Sequence, residues 1–479
     1  MNSKSLKLNA FLNTLRNVLN MLFPLITFPY VSRVLGANGL GIYNFSNSII
    51  SYFILLSGLG ISTYAIREGA KYREDKKNIS FFASQIFSIN IFSMIFSYIL
   101  LVISLVIFPK LHLYSACILI FSLQIFFTTL GTEWIYTIFE DFTYITIRSI
   151  FFNILSLILL FLFVKNKNDY LIYAAITVLA SAGSNILNFI HVKVFCNIKF
   201  IFNCEFFKHI KPIIIIFASN LAILIFVNSD ITILGIMKNT YTVGIYTVAV
   251  KIYSVLKTVL SAALIVTVPR LAALYGQKKE SQYIKTASEI FNFLIFSTFP
   301  TMIGLFMISK DIIIFISGKE FLAANVALKL LSVALIFSIS GWFYSECVLI
   351  PAKLEKIVLI STIISAVINI ILNVTLIPFY SENAAAFSTV IAEAINMIIM
   401  ISYGKKIVQI NGFKKNIITV IIGSIGICLV CSIIHFLRFD VFLEIILSVI
   451  LSIIVYVITL ILLKNQIMLK HLKLLKAKL

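Results

Sequence analysis

Long apolar stretches recur along the whole chain, and they constrain its fold more than any other feature. A helix needs about 20 mostly apolar residues to cross the hydrocarbon core of a bilayer, and the sequence contains about fourteen such stretches. Only 12% of the 479 residues are charged and 60% are hydrophobic, so the chain lacks the polar surface of a soluble globule. The sequence therefore predicts an all-α polytopic membrane protein. The predicted spans are 11–32, 41–65, 79–108, 112–132, 143–164, 170–192, 212–237, 241–268, 286–308, 323–348, 357–378, 384–403, 417–437 and 443–463.

The distribution of lysine and arginine predicts the orientation of these spans. If the N-terminus is inside, the cytoplasmic segments contain 26 of the 39 basic residues and the outer connections contain 8. Because cytoplasmic loops are enriched in Lys and Arg, both termini are predicted to be cytoplasmic. The basic tail, 464–479, is predicted to lie on the anionic lipids of the inner leaflet. Topology thus explains most of the net charge of +20, and no nucleic-acid partner is expected.

A short internal repeat predicts how the spans are grouped. The tripeptide Gly-Ile-Tyr occurs at 41–43 and again at 244–246, preceded in each case by Leu-Gly (35–36 and 234–235). Both copies lie at the outer end of a span that runs inward, and equal orientation is typical of a parallel repeat. The predicted divisions are a six-helix N-terminal lobe (1–205), a six-helix C-terminal lobe (206–404), and two additional helices with the basic tail (405–479).

The repeat also aligns polar residues on two helices. Asn44 and Ser48 share a face of the second span, and Lys251, Ser254 and Thr258 share a face of the eighth. Small polar residues alone are equally explained by close packing between helices. A lysine near the bilayer centre is different, because it costs at least about 2.5–3.5 kcal/mol and requires a polar cavity or a partner.

Five basic residues lie within predicted spans, and we predict that they line a cationic cavity for an anionic substrate group. For Arg16 and Arg148, near cytoplasmic helix ends, snorkelling to the interface is an equal alternative. Asp230 and Glu393 are expected to pair with a buried lysine, or to take part in proton or sodium coupling. The candidate substrate-binding residues are Arg16, Arg148, Lys251, Lys257 and Lys329, and the polar or ion-coupling candidates are Asn44, Ser48, Asp230, Ser254, Thr258 and Glu393.

The connections lack the features expected of an enzyme. The longest outer connection, 309–322, has Asp311 and Glu320 as its only acids, and the sequence contains no G-x-x-x-x-G-K-[ST] nucleotide-binding motif. Cys428 and Cys431 form a C-x-x-C inside an apolar run, where they are predicted to be packing residues. We therefore predict no catalytic residue, no metal and no cofactor.

Three segments, 17–68, 131–148 and 230–246, resemble bacterial polysaccharide repeat-unit flippases of the Wzx type. These transporters belong to the MATE-like (MOP) exporter superfamily, together with the lipid II flippases. The second segment begins Gly-Thr-Glu-Trp-Ile-Tyr and continues to Arg148. One departure is the loop 133–142, which contains three acids and no basic residue, so we assign it no direct role.

The resemblance implies a function as well as a fold. It implies a bacterial inner-membrane (cell-membrane) transporter that flips undecaprenyl-pyrophosphate-linked oligosaccharide repeat units, used for O-antigen or capsule, from the cytoplasmic to the outer leaflet by alternating access. Arg16, Arg148, Lys251 and Lys257 would form its cationic cavity. Membrane lipids, and a polysaccharide polymerase or chain-length machinery, are the expected partners. The alternatives are a lipid II flippase, a MATE-type drug or cation exporter, and, less favoured, a membrane glycosyltransferase or polymerase.

Overall fold

The computed structural model describes residues 6–202 and 205–470, which form helices joined by turns with no strand among them. The chain divides into two compact units, one extending to Gly244 and the other beginning at Ile245. The lobe boundaries expected from the repeat stay a prediction. In the described part of unit 1 the α-helices are α1 (Leu6–Gly58), α2 (Ile61–Gly69), α3 (Lys76–Ile107), α4 (Ser115–Gly131), α5 (Glu133–Ile138), α6 (Phe142–Phe163), α7 (Tyr170–His191) and α8 (Phe206–Met237).

The division between the units falls in the first turns of the next helix, α9 (Thr240–Gly276). The remaining described helices belong to unit 2. They are α10 (Glu280–Met307), α11 (Ser309–Ser317), α12 (Ala324–Phe343), α13 (Glu355–Gly404), α14 (Phe413–Phe436) and α15 (Val441–Leu462).

Twelve helical segments among the described residues are long and apolar enough to cross a membrane. Two of them, Phe23–Tyr72 and Glu355–Gly404, have 50 residues each; at about 1.5 Å per residue, each is long enough for two crossings. Each is interrupted by non-helical backbone, the first at Gly36 (φ 64°) and again at Leu59 and Gly60, and the second at Ser381 (φ 52°). The multi-pass all-helical fold is thus confirmed, whereas the count of fourteen crossings and the cytoplasmic termini stay predictions.

A hydrophobic core of unit 1 joins α2, α3, α5 and the start of α6. Its largest members include Phe82, Trp134 and Tyr136, all of them buried. Elsewhere on two of these helices, apolar side chains such as Val106 of α3 and Ile147 of α6 are exposed. Exposed apolar surface of this kind is costly in water but favourable against lipid chains, which agrees with a membrane location.

An extended segment after α7 is held along α3 by a row of serines. Three alternate backbone N–H groups of residues 197–201 donate to the hydroxyls of Ser80, Ser84 and Ser88, at distances of 3.0, 3.0 and 2.8 Å. Four residues of helix rise about 6.0 Å, and two extended residues span about 6.5 Å. The two periods therefore match, and each serine satisfies one N–H group that the extended segment cannot satisfy itself.

Unit 2 contains a similar contact at α10. This helix contains the third predicted span of the C-terminal lobe, as α3 contains the third of the N-terminal lobe. The backbone N–H of Asn411, in the connection after α13, donates to Ser288 Oγ at 3.0 Å. The side chain of Asn292 donates in turn to the carbonyl of Asn411 at 2.8 Å. In each of the two predicted lobes, therefore, the connection that follows the sixth predicted span is attached to polar residues of the third.

The two copies of the repeated tripeptide have the same local surroundings. In the first copy the chain leaves helical geometry at Gly36, the glycine of the Leu-Gly pair, and in the second copy at Lys238, three residues after that pair. A Cβ atom on Gly41 would lie 1.8 Å from the carbonyl oxygen of Thr240, and one on Gly244 would lie 1.9 Å from that of Ala37. Two backbones approach closely at these positions, and only glycine fits there.

One region differs from the sequence prediction, and another lies mostly outside the described residues. The stretch 133–142, expected to be a loop, folds in part as the short helix α5. Most of the basic tail, 471–479, lies outside the described residues, so its predicted placement on lipid is untested. Lys470, the last described residue, forms an ion pair with Glu289 of α10 at 2.8 Å.

Candidate substrate-binding site

The structure brings Arg16 of α1 and Arg148 of α6 together around one carboxylate. Glu133 at the start of α5 accepts from Arg16 Nη2 at 2.5 Å and lies 3.5 Å from Arg148 Nη2. The other terminal nitrogen of Arg148 donates to the side-chain oxygen of Asn188 on α7. We call Arg16, Glu133, Arg148 and Asn188 the arginine cluster. Two guanidinium groups and one carboxylate leave it with a net positive charge.

Several hydrogen-bond donors of the arginine cluster are unused. Arg16 Nε, Arg148 Nε and Asn188 Nδ2 are buried and have no acceptor among the described residues. A buried donor without a partner costs about 1–3 kcal/mol, so three in one place are unfavourable unless an acceptor arrives. Glu133 is 39% exposed, and the cluster is therefore accessible from its side.

Aromatic residues hold the arginine cluster in position. Tyr136 on α5 donates to the carbonyl of Asn188 at 2.7 Å, and Tyr144 on α6 donates to the carbonyl of Leu187 at 3.0 Å. The two tyrosine rings stack with centroids 5.2 Å apart, and Arg148 lies 6.0 Å from the Tyr144 ring. These contacts fix α5 and α6 against α7, so the positions of Glu133, Arg148 and Asn188 are set by packing.

In unit 2 the structure pairs Lys257 of α9 with Glu393 of α13. The lysine Nζ lies 2.9 Å from Glu393 Oε1, and the hydroxyl of Tyr253 donates to the same oxygen at 3.4 Å. Glu393 is buried, whereas the Lys257 side chain is 36% exposed. This is one of the alternatives expected from the sequence, in which an intramembrane acid pairs with an intramembrane lysine.

The polar stripes on the second and eighth spans are largely satisfied within their own helices. Asn44 donates to the carbonyl of Leu40, Ser254 to that of Val250, and Thr258 to that of Ser254. Such bonds are the usual arrangement for polar residues in membrane helices. They agree with the packing interpretation, and a substrate role for these residues stays a prediction.

The remaining candidates have other surroundings. Ser48 forms a hydrogen bond of 2.6 Å with Thr232 of α8, and Asp230 on the same helix is buried. Lys329 lies 5.2 Å above the ring of Phe306. Lys251 is half-buried, and no carboxylate of the described residues lies within ion-pair distance of it or of Lys329. The membership of these residues in one cavity stays a prediction.

Sequence analysis missed three residues that complete these contacts, namely Glu133, Asn188 and Tyr253. Glu133 lies in the stretch to which we assigned no direct role, and the structure corrects that interpretation of this residue, since it links both arginines. Asn188 resembles any small polar residue of a membrane helix. The available signal was an acid at the membrane boundary facing two buried arginines, but a pairing across 117 residues cannot be deduced from one sequence.

The helices define the class of this protein as a multi-pass membrane protein with basic residues inside its membrane-spanning segments. Residues 6–275 match the family model described as polysaccharide biosynthesis protein. Since the match covers more than half of the chain, the chain belongs to this family.

Two relatives support the assignment. One is a protein of Escherichia coli (strain K12) that is provisionally named an O-antigen transporter; it is 28% identical over 169 residues, which are 35% of this chain and 40% of that protein. The match therefore spans less than half of that relative's length. The other is the capsular polysaccharide biosynthesis protein CapF of Staphylococcus aureus, 26% identical over 381 residues, which cover 77% of this chain and 92% of the relative.

The fold itself is similar to that of a solved flippase. The lipid II flippase MurJ, in an inward closed conformation, superposes with a TM-score of 0.77 over 96% of this chain and 99% of its own. Sequence identity is 19%, so the similarity establishes the fold and not the substrate.

Proposed function

We propose that this protein flips a lipid-linked oligosaccharide, joined to its lipid through pyrophosphate, from the cytoplasmic to the outer leaflet of a bacterial inner membrane. The arginine cluster carries this proposal. Its buried guanidinium groups retain N–H donors that no described protein group uses, and phosphate oxygens are the acceptors that such donors bind best. The planar fork of arginine also suits phosphate better than the point charge of lysine does.

The physical problem of flipping explains why such a cluster would be useful. A pyrophosphate with attached sugars cannot cross hydrocarbon unaided, because transfer of charged and polar groups out of water is strongly unfavourable. A polar, basic path lowers this barrier while the lipid chain stays in the bilayer. If the cytoplasm is negative, outward movement of about two negative charges gains roughly 4–5 kcal/mol per 100 mV.

The relatives favour a polysaccharide repeat unit as the cargo. The names of both relatives refer to O-antigen transport or to capsule synthesis, whereas the likeness to the lipid II flippase rests on fold alone. A repeat unit is therefore the first candidate and lipid II the second. Family and fold both favour transport over catalysis, and buried cations suit an anionic cargo better than a cationic drug.

Two parts of the proposal concern energy and partners. We propose proton or sodium coupling through the carboxylates of Asp230 and Glu393, the latter already held by Lys257. We also retain a polysaccharide polymerase or chain-length machinery as the partner that would use the flipped product. The first part is supported by the burial of these two carboxylates, and the second by the need to polymerise a flipped repeat unit.

Complementation in two bacterial hosts tests the proposed function. One host lacks its own repeat-unit flippase, and the other is depleted of its lipid II flippase. We expect this protein to restore surface polysaccharide in the first host and not growth in the second, with membrane levels of the protein verified in both. Rescue of the second host alone would move the assignment to lipid II, and rescue of neither by well-inserted protein would contradict the proposal.

A further inference from the structure

A separate group of titratable side chains lies where α11, α14 and α15 meet in unit 2. Asp311 is in the first turn of α11, His435 in the last turn of α14, and Glu444 in the first turn of α15. One potential ligand atom from each residue lies within 4.8 Å of the other two. His435 Nδ1 and Glu444 Oε1 are 2.7 Å apart. None of these residues takes part in the arginine cluster or in the Lys257–Glu393 pair.

Burial makes this arrangement unfavourable without an additional positive charge. Asp311 is 6% exposed and Glu444 is 7% exposed, and no lysine or arginine of the described residues lies within ion-pair distance of either carboxylate. Two carboxylates this close need a proton or a cation between them.

The surrounding helices hold the three residues in place. Asp440 caps α15 through the backbone N–H of Phe442 at 3.2 Å, and the N–H of Glu444 donates to the Asp440 carbonyl at 2.8 Å. Phe442 also packs on Phe315 of α11, with ring centroids 5.7 Å apart. The contact between α11 and α15 is thus built independently of the three titratable groups, and it presents two buried carboxylates beside one exposed imidazole.

We propose that Asp311, His435 and Glu444 bind one divalent cation of the zinc class, which joins α11 to the α14–α15 hairpin. One imidazole nitrogen and two carboxylate oxygens form a donor set that Zn²⁺ uses, with a fourth position left to water. The exposed His435 ring gives the ion access from solvent. In the predicted topology this site faces the outer side of the membrane. The proposal does not depend on which lipid-linked cargo the protein transports.

Titration of the purified, tag-free protein in lipid nanodiscs with Zn²⁺ tests this site. Isothermal calorimetry should give one ion per molecule, and Co²⁺ in place of Zn²⁺ should produce the visible absorption band of a low-symmetry site. His435→Ala and Asp311→Asn should each weaken binding by about tenfold or more. His112→Ala removes another exposed histidine, one that contacts the carbonyl of Leu105 at 2.9 Å, and it should bind as the wild type does.

His435→Ala is the decisive variant, because this side chain is largely exposed and its loss leaves the packing intact. If His435→Ala retains wild-type stoichiometry and affinity, the ion binds elsewhere and the proposal is wrong. The proposal is equally wrong if the wild type binds neither Zn²⁺ nor Co²⁺, since the two carboxylates are then held together by a shared proton. A loss confined to His435→Ala and Asp311→Asn, with His112→Ala unchanged, supports it.

Discussion

Glu393 lies buried in α13 with Lys257 as its ion-pair partner at 2.9 Å. Lys257→Met leaves this carboxylate without its cation, and we expect the free energy of unfolding to fall by about 1–3 kcal/mol. The double variant Lys257→Met with Glu393→Gln removes both charges and should recover most of that loss. Thermal unfolding in detergent measures the effect, with Lys329→Met as the control. Equal destabilisation in the single and double variants would show that the loss does not come from an unpaired Glu393 carboxylate.

Arg148 uses both of its terminal nitrogens, one toward Glu133 and one toward Asn188. Arg148→Lys keeps the charge but cannot make both contacts or present a fork to phosphate. We expect it to fold normally and to transport at least about tenfold more slowly than the wild type. Arg67→Lys, which alters an exposed arginine of the same unit, is the matched control. Wild-type transport by Arg148→Lys would mean that charge alone matters at this position.

At the scale of single helices, the serine row of α3 is the clearest case for a stability test. Ser84→Ala removes the acceptor of the Lys199 backbone N–H, and the loss of such a hydrogen bond costs about 0.5–1.5 kcal/mol. Ser104→Ala on the same helix removes only a bond to its own helix, at the Leu100 carbonyl, and should cost far less. Thermal unfolding of the two variants compares them directly. Similar losses for both would show that the row does not hold the connection.

The close backbone contacts at Gly41 and Gly244 predict that a larger residue at either position will reduce the yield of folded protein. Gly41→Ala would place its Cβ 1.8 Å from the carbonyl oxygen of Thr240, and backbone cannot yield as a flexible side chain can. We expect a clear loss of folded protein in fluorescence-detected size-exclusion chromatography. Gly304→Ala, where a Cβ would meet nothing within 4 Å, should be neutral or gain up to about 1 kcal/mol. Normal yield of Gly41→Ala would contradict the observed packing.

The helices were largely predictable from sequence, but their polar contacts were not. The bilayer sets the length of an apolar span, and for that reason stretches such as 143–164 agree closely with α6. The serine row was missed, because each serine also suits ordinary helix packing and its partner lies more than 100 residues away. The short helix α5 was missed because its six residues are too few for a helical pattern.

At the scale of the whole molecule, the sequence predicted the class of protein and its cationic residues better than their arrangement. Arg16 and Arg148 are recognisable in the sequence because a charged residue within an apolar span is energetically costly. That they meet at Glu133 depends on how α1, α5 and α6 pack, which a single sequence does not reveal. Orientation in the membrane and the grouping of all candidate residues in one cavity stay predictions.

The central claim is that the arginine cluster carries the pyrophosphate of a lipid-linked oligosaccharide across the membrane. The most direct measurement uses proteoliposomes that contain this protein and a labelled undecaprenyl-pyrophosphate oligosaccharide from a complemented host, with a membrane potential imposed. The fraction of label that an external glycosidase reaches is followed over time. Arg67→Ala is the control for the double variant Arg16→Ala with Arg148→Ala.

We predict that the wild type and Arg67→Ala move the label at least about tenfold faster than empty vesicles, and that the double variant, inserted at equal amounts, approaches the rate of empty vesicles. Transport by the double variant at the wild-type rate would contradict the account, because the pyrophosphate would then cross without the arginine cluster.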